Sequence, residues 1–487
     1  MATSRVPGLP AWVRVVDVIA VAFALLGVFV LLFGGFVIHI GSVQIRMHGA
    51  GRLLFIALAL IAIRHTARPA DPLHRRIARL AGSDAESPLT LGALALVSRI
   101  AALVAGYFAV VTVGLSAPQV GFTVSSDPVQ DLPARFDAGW YAGIALDGYS
   151  FEGRFDRQQN IAFFPAYPLL ERIVGYPLGA FAPVVPRERR MARLLWSGVV
   201  ISMMAFAWAS IYLWRLARDT IGDARAVGAV ALLAAYPFAV FFSAAYTESL
   251  FLLGAVAAFY HFRRDEFAAA AAWGLLVGLT RPNGCFLSVV LAWLAVEKLR
   301  PLRSLQFTKA PRHQIQFTKS PIHQIANCLA VAAPGIGMLL YSAYVKHLTG
   351  AWFGWARLHE TWGRSYSGLA PVERAYRWIV DEGLLHVVQG LPYDTLNSLA
   401  LIFALLMLWT VFRRLGFAYV LFVLVNVAPP MLAGGVLSMG RITATVFPLF
   451  LALAATISPR AMPAFVTAFA IGQGVVAVLF FTWRPLF

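Results

Sequence analysis

Runs of about twenty uncharged apolar residues recur along this chain, and they constrain its fold more than any other feature. At 1.5 Å per residue such a run, coiled as an α-helix, crosses a hydrocarbon layer of ~30 Å. Clear runs occupy residues 18–38, 100–120, 194–214, 325–345, 395–412, 415–436, 442–457 and 463–483, with a shorter one at 53–63 between Arg52 and Arg64. In lipid each backbone N–H and C=O must be satisfied within the chain, which leaves helices for spans of this length. The composition agrees: 60% hydrophobic and 13% charged residues exclude an ordinary cytosolic enzyme. Two cysteines in 487 residues exclude a disulfide scaffold. Cys285 and Cys328 both lie in apolar stretches and are expected to be buried thiols. The first run is too long for a cleavable signal and lacks a small-residue cleavage site after it.

Two segments are too long for single spans. Residues 226–260 are apolar except for Glu248, and 267–296 are apolar except for Arg281. A helix through either would measure ~45–50 Å. Each contains breakers, Pro237 in the first and Pro282-Asn283-Gly284 in the second, so both are expected to be helical hairpins with tips toward a membrane surface. The fold class predicted is therefore an all-α polytopic bundle of about 11–13 transmembrane helices.

Basic clusters at 64–79, 215–225, 263–264, 298–319, 413–414 and Arg460 set the topology, with the N-terminus cytoplasmic. Two long loops then fall outside, 116–193 and 346–394. The segment 161–181, broken by Pro165, Pro168 and Pro177, is expected to lie at the interface without crossing. Residues 1–85 form an N-terminal extension with two candidate helices, and 86–487 form the main domain. The whole chain carries a net charge of +17, and its basic loops suit anionic lipid headgroups and not nucleic acid. The basic loop 298–325 contains a duplicated decapeptide, QFTKAPRHQI at 306–315 and QFTKSPIHQI at 316–325, read as a slack linker or a headgroup clamp.

Ionisable residues in or beside spans are expensive, so they mark candidate sites. The first outside loop carries Arg135, Asp137, Trp140 and Tyr141, then Phe163-Phe164-Pro165 and Tyr167. On a helix over 137–146, Trp140 and Tyr141 share a face with Asp137. A carboxylate flanked by ring faces suits a sugar; an interfacial aromatic belt with a solvated Asp is the competing reading. Glu248 marks the first hairpin tip and Arg281 with Asn283 the second, where Arg suits a phosphate or caps carbonyls. Arg441 stands just outside the span it begins, in Ser438-Met439-Gly440-Arg441, placed for an anion or for snorkelling. His359 lies in an aromatic stretch of the second outside loop, where it is a substrate contact or a hydrogen-bonded structural residue. Zinc spacing, a Walker loop and a nucleotide-binding fingerprint are not found in the sequence.

Taken in order, RFDAGWYAGIALDGY, NIAFFPAYPLLERIVG, YPFAVFFSAAYTESLFLL, GLTRPNG and SMGRITATVFPLFLALA resemble the PIG-V-like mannosyltransferases, membrane glycosyltransferases of the GT-C type, in their bacterial form. The resemblance spans about residues 92–460. It implies transfer of a sugar, typically mannose, from a polyprenyl-phosphate carrier to a lipid or glycan acceptor outside a plasma membrane, bacterial inner membrane being the implied location. It matches the family's first-loop Asp to Asp137, its FFP segment to Phe163–Pro165, and its RPNG and serine-to-arginine elements to 281–284 and 438–441. Eukaryotic members place His four residues after the Asp, where this chain has Tyr141, so no role resting on that His carries over.

The residues suit that chemistry independently. In an inverting transfer, one carboxylate, Asp137, can take the acceptor's proton. A phosphate leaves as an anion, so no second carboxylic acid is required, and Arg281 and Arg441 can absorb the growing charge. No cofactor is required; a divalent metal is compatible with the set but not indicated. The rival readings are a transporter or flippase for a lipid-linked sugar or small solute, and a catalytically silent scaffold.

Overall fold

A computed structural model describes residues 10–33, 36–40, 43–47, 50–67, 88–116, 122–299, 321–366, 368, 370–390 and 392–486. The architecture is all-helical but for one two-stranded ribbon. Among the described residues six helices are long and apolar enough to cross a membrane, or seven if one bent pair counts as a span. They are Pro88–Val113 (α3), Arg187–Ile221 (α6), the Gln324–Thr349 part of Pro321–Thr349 (α11), Pro392–Leu415 (α13), Phe417–Gly434 (α14) and Met462–Phe481 (α17). The remaining apolar segments are shorter helices with breaks between them. Ahead of α3, helices Ala11–Phe33 (α1) and Ala50–Ala67 (α2) pack together, tied by a buried pair in which Arg64 Nε meets Asp17 Oδ1 at 2.9 Å.

The first helix stops earlier than its apolar run predicts. It ends at Phe33, and Phe36–Ile40 pairs antiparallel with Val43–Met47. FVIHI and VQIRM are rich in β-branched residues, and the sequence Gly34-Gly35 before them is a poor helix former. The duplicated decapeptide lies outside the described residues up to residue 320. The cysteines also differ from expectation: Cys328 is exposed on the outer face of α11, and Cys285 is half-buried.

Both long segments are broken where their prolines predicted. In the first, Asp223–Ala235 (α7) is followed by a 3-10 stretch Pro237–Ser243 bent by 81° from it, then Glu248–Arg263 (α8). Pro237 cannot donate to the ladder, and the carbonyls around it lose their helical partners. Arg99, fully buried in α3, donates to the carbonyls of Ala234 and Ala239. Gln473 of α17 donates to those of Ala234 at 2.9 Å and Tyr236 at 3.0 Å. The broken backbone is thus satisfied by two side chains from other helices, as lipid requires.

In the second, Phe267–Gly278 (α9) and Leu287–Leu299 (α10) flank a 3-10 turn, Pro282–Phe286. Helix α9 lies against α11 backbone to backbone: a Cβ at Gly278 would stand 1.9 Å from the Pro334 carbonyl oxygen, and one at Gly337 2.6 Å from that of Leu275. Gly278→Ala is accordingly expected to destabilise by on the order of 1–3 kcal/mol, the range for overpacked cores. Thermal unfolding in detergent would read this as a lowered Tm. Gly335→Ala, whose Cβ would meet Ser288 Oγ at an ordinary 3.5 Å, is the control expected to leave Tm unchanged.

The core gathers around α8, whose residues 248–259 are all buried, and Phe447–Thr456 (α16). Helix α6 is 35 residues long, ~52 Å, so its polar first turns at Arg187–Arg190 extend beyond any bilayer core. Ahead of α6 in the chain, the first long loop includes two ten-residue helices, Ala138–Asp147 (α4) and Ala166–Gly175 (α5). Ten residues, ~15 Å as a helix, are too few to cross a bilayer core.

Candidate functional site

A cleft of about 700 Å³ opens where the second break, the first loop, the second loop and the segment from the end of α14 to Ile442 meet. Its lining includes Asp137, Tyr141, Phe163, Phe164, Arg281, Asn283, His359, Arg364 and Arg441. Asp137 is the one carboxylate among the lining residues, facing three arginines.

Asp137 sits immediately before α4 in a strained turn. Phe136 has φ +47°, an uncommon conformation for an aromatic residue. Its ring is held between Trp483, with centroids 4.6 Å apart, and Phe480, at 5.7 Å. The Asp137 N–H donates to the Tyr246 hydroxyl at 2.9 Å, and that hydroxyl lies 3.3 Å from the Arg135 carbonyl, to which it donates. Arg441 is presented by a second strained turn, with Ser438 at φ +61° before the short helix Met439–Ala444 (α15). Such strain persists only where the surroundings over-determine it, commonly at working sites.

These turns bring together charges 304 residues apart: Arg441 Nη1 donates to Asp137 Oδ2 at 2.7 Å. The Asp137 side chain keeps 18% exposure, toward the cleft. Behind the pair, Glu248 is wholly buried, with Oε1 3.0 Å from Arg441 Nε and 3.1 Å from Arg281 Nη1. Glu248 therefore does not line the cleft; it holds two of the arginines that do. Asn283 lines the cleft and donates to Asn426 Oδ1 at 2.8 Å.

Aromatic rings make the adjoining wall. Tyr141 packs edge-on against Phe163 and Tyr167, at 5.1 and 5.3 Å. Burial, then the carboxylates of Glu248 and Asp137, push its hydroxyl above the usual phenol range. Phe164 is wedged between Tyr341 and Trp355. The Tyr341 hydroxyl pins the 161–163 segment through the carbonyls of Ile161 and Phe163. Trp140 stands behind this wall, stacked on Phe163 at 5.6 Å.

Besides Glu248 and Trp140, two further expected substrate contacts are placed outside the cleft lining. Arg135 is fully buried, donating to the Phe481 carbonyl at 2.7 Å and the Asp131 carbonyl at 2.7 Å, and pairing with Asp131 Oδ2 at 3.1 Å. It ties the strained turn to the end of α17. Tyr167 is equally buried, its hydroxyl donating to the Gly198 carbonyl at 2.7 Å. Both are supports, not cleft lining.

The second loop closes the opposite side. The His359 ring lines the cleft, its buried Nε2 without a hydrogen-bond partner among the described residues. Burial, then Arg364, lower its pKa to about 4, with Asp137 opposing, so it is a neutral imidazole at neutral pH. Arg364 follows a left-handed glycine, Gly363, and its guanidinium faces the arginines of the other wall. Burial, then Arg441 and Arg281, lower its pKa to about 10. Arg364 and Tyr246 were not singled out from the sequence. Tyr246 had a signal, its place two residues before the buried Glu248; Arg364 had none beyond its aromatic surroundings. Among the described residues no three His, Cys, Asp or Glu side chains gather as a metal-ligand set.

Residues 122–350 match the family described as mannosyltransferase (PIG-V). This region holds Asp137, Glu248 and Arg281, while His359, Arg364 and Arg441 lie beyond it. Among solved structures, the oligosaccharyltransferase of Archaeoglobus fulgidus, crystallised with zinc and sulfate, is similar at TM-score 0.39 and 12% identity. The similarity covers 80% of this chain and 53% of that one, so the chain spans about half the other's length. No curated protein matches it. Residues 122–350, a little under half of the chain, are thus similar to the PIG-V mannosyltransferases, in a mainly helical chain with six candidate membrane spans among its described residues.

Proposed function

We propose that this protein transfers a sugar, mannose by the family that residues 122–350 match, from a polyprenyl-phosphate carrier to a hydroxyl of a lipid or glycan acceptor, with inversion at the anomeric carbon. The observation that carries this reading is the cleft's charge arrangement: one lining carboxylate, Asp137, facing Arg281, Arg364 and Arg441. Asp137 takes the proton from the acceptor hydroxyl as its oxygen attacks the sugar. The bond from the anomeric carbon to the phosphate oxygen breaks, and its electron pair leaves with the phosphate. The arginines stabilise that growing anion, and they do so more strongly in a cleft from which water is partly excluded. The ring wall of Tyr141, Phe163 and Phe164 offers faces on which the C–H surface of a sugar can pack.

The cleft is walled by the two long loops, which the distribution of basic residues predicts to be outside; the reaction is accordingly assigned to the extracytoplasmic face, with the N-terminus cytoplasmic. The test is transfer by purified protein in nanodiscs, offered radiolabelled polyprenyl-phosphate mannose and a membrane glycolipid extract. Label moving into a new glycolipid supports the reading. Failure with several prenyl-phosphate sugars, in a folded sample, would replace it with transport of a lipid-linked sugar.

A further inference from the structure

We propose that Arg364, carried by the second loop, is the primary grip on the phosphate of the donor, ahead of Arg281 and Arg441; the inference rests on the transferase reading for the identity of that donor. The argument starts from the partners each cleft arginine already has. Arg441 is held by Asp137 at 2.7 Å and Glu248 at 3.0 Å, and Arg281 by Glu248 at 3.1 Å. Arg364 has no ion pair with a carboxylate among the described residues; its Nη2 lies 3.5 Å from the Leu437 carbonyl, at the limit of a hydrogen bond. An arriving anion must share Arg281 and Arg441 with acids already in place, whereas at Arg364 it displaces no acid.

The charge of the cleft points the same way. Three guanidinium groups face two carboxylates, Asp137 in the lining and Glu248 behind it, leaving one positive charge in excess. Because two of the three are matched by these acids, the excess resides at Arg364. A phosphodiester carries a single negative charge and would neutralise it.

Arg364 is also positioned, not loose. Its backbone N–H donates to the His359 carbonyl at 3.1 Å, and its stem lies against Gly434, where an added Cβ would meet its Cγ at 3.6 Å. Two residues earlier, Trp362 packs edge-on against Trp140 and Phe163, at 5.9 and 5.7 Å, fixing this part of the loop to the aromatic wall. A planar fork held in this way suits bidentate contact with a phosphate, which a lysine would reproduce only as a point charge.

The experiment compares wild type, Arg364→Gln and Arg364→Lys in nanodiscs, with two readouts. The first is the donor KM and kcat of mannose transfer from a short-chain prenyl-phosphate mannose. The second is equilibrium binding of radiolabelled farnesyl phosphate, a prenyl monophosphate without sugar, with binding to empty nanodiscs subtracted. Arg364→Gln is expected to raise the donor KM at least tenfold with kcat changed less than threefold, and to weaken farnesyl phosphate binding in parallel. Arg364→Lys should fall between, which also guards against a glutamine variant that fails to fold. Unchanged donor KM and unchanged binding in a folded Arg364→Gln sample would overturn the proposal and leave the transferase reading intact. Arg364-dependent binding without transfer by wild type would keep the phosphate grip and sink the transferase. Wild type that neither transfers nor binds farnesyl phosphate would overturn both.

Discussion

Asp137→Asn is expected to lower sugar transfer by at least ~10²-fold while the protein folds normally. Asparagine keeps the shape of the side chain and can still accept from Arg441 through its amide oxygen, so the strained turn retains its contacts. The lost property is the capacity to take a proton from an attacking hydroxyl. Initial rates of mannose transfer, measured beside size-exclusion profile and Tm in detergent, separate the two effects. Equal rates for wild type and a folded Asp137→Asn would remove Asp137 as the base, although the enzyme could still use another route to deprotonate its acceptor.

The second large effect is expected at Glu248. Its carboxylate is wholly buried and shared by Arg281 and Arg441. Removing one partner of a buried ion pair typically costs ~3–5 kcal/mol, because the charge left behind is desolvated and unpaired. Glu248→Ala should therefore lower Tm sharply and abolish transfer through loss of arginine positions. Glu248→Gln should do less harm to folding, since the amide oxygen can accept from one guanidinium. A further variant makes the cause visible: Arg441 keeps Asp137 as its partner, so adding Arg281→Gln to Glu248→Ala removes the cation whose acid partner is lost, and is expected to recover part of the lost Tm. Losses that simply add would mean that Glu248 and Arg281 act on stability independently.

The sequence made some of this arrangement legible and hid the rest. The spans could be read because twenty apolar residues leave few alternatives in lipid, and the two breaks because Pro237 and Pro282 cannot continue a hydrogen-bond ladder. Asp137, Glu248, Arg281 and Arg441 stood out because charge beside an apolar run costs free energy unless it is used. Their grouping was not legible: Glu248 and Arg281 are neighbouring tips, but Asp137 and Arg441 meet across 304 residues. The sequence equally could not separate an arginine aimed into the cleft from one tying down carbonyls, which is why Arg135 was expected at the substrate and lies beneath the turn instead. Arg364 was missed because a polar residue in a loop carries no visible cost; only its lack of an acid partner among the described residues, a tertiary fact, marks it. The first helix ended before its hydropathy did because a strand can be as apolar as a span.

The arginine that closes the first break has a bearing on how the protein is made. Arg99 lies within a span, and a guanidinium in mid-helix costs ~2.5–3.5 kcal/mol when a helix enters the bilayer alone. The carbonyls that receive it, those of Ala234 and Ala239, follow 135 and 140 residues later in synthesis. Helix α3 must therefore enter the membrane before its charge has these partners, sheltered by neighbours or held at the edge of the insertion machinery. Its final seat exists only once α7 and the bend after it have been delivered. Membrane insertion of this chain is then not a strict succession of independent helices: an early span waits on a late one for its stability in lipid.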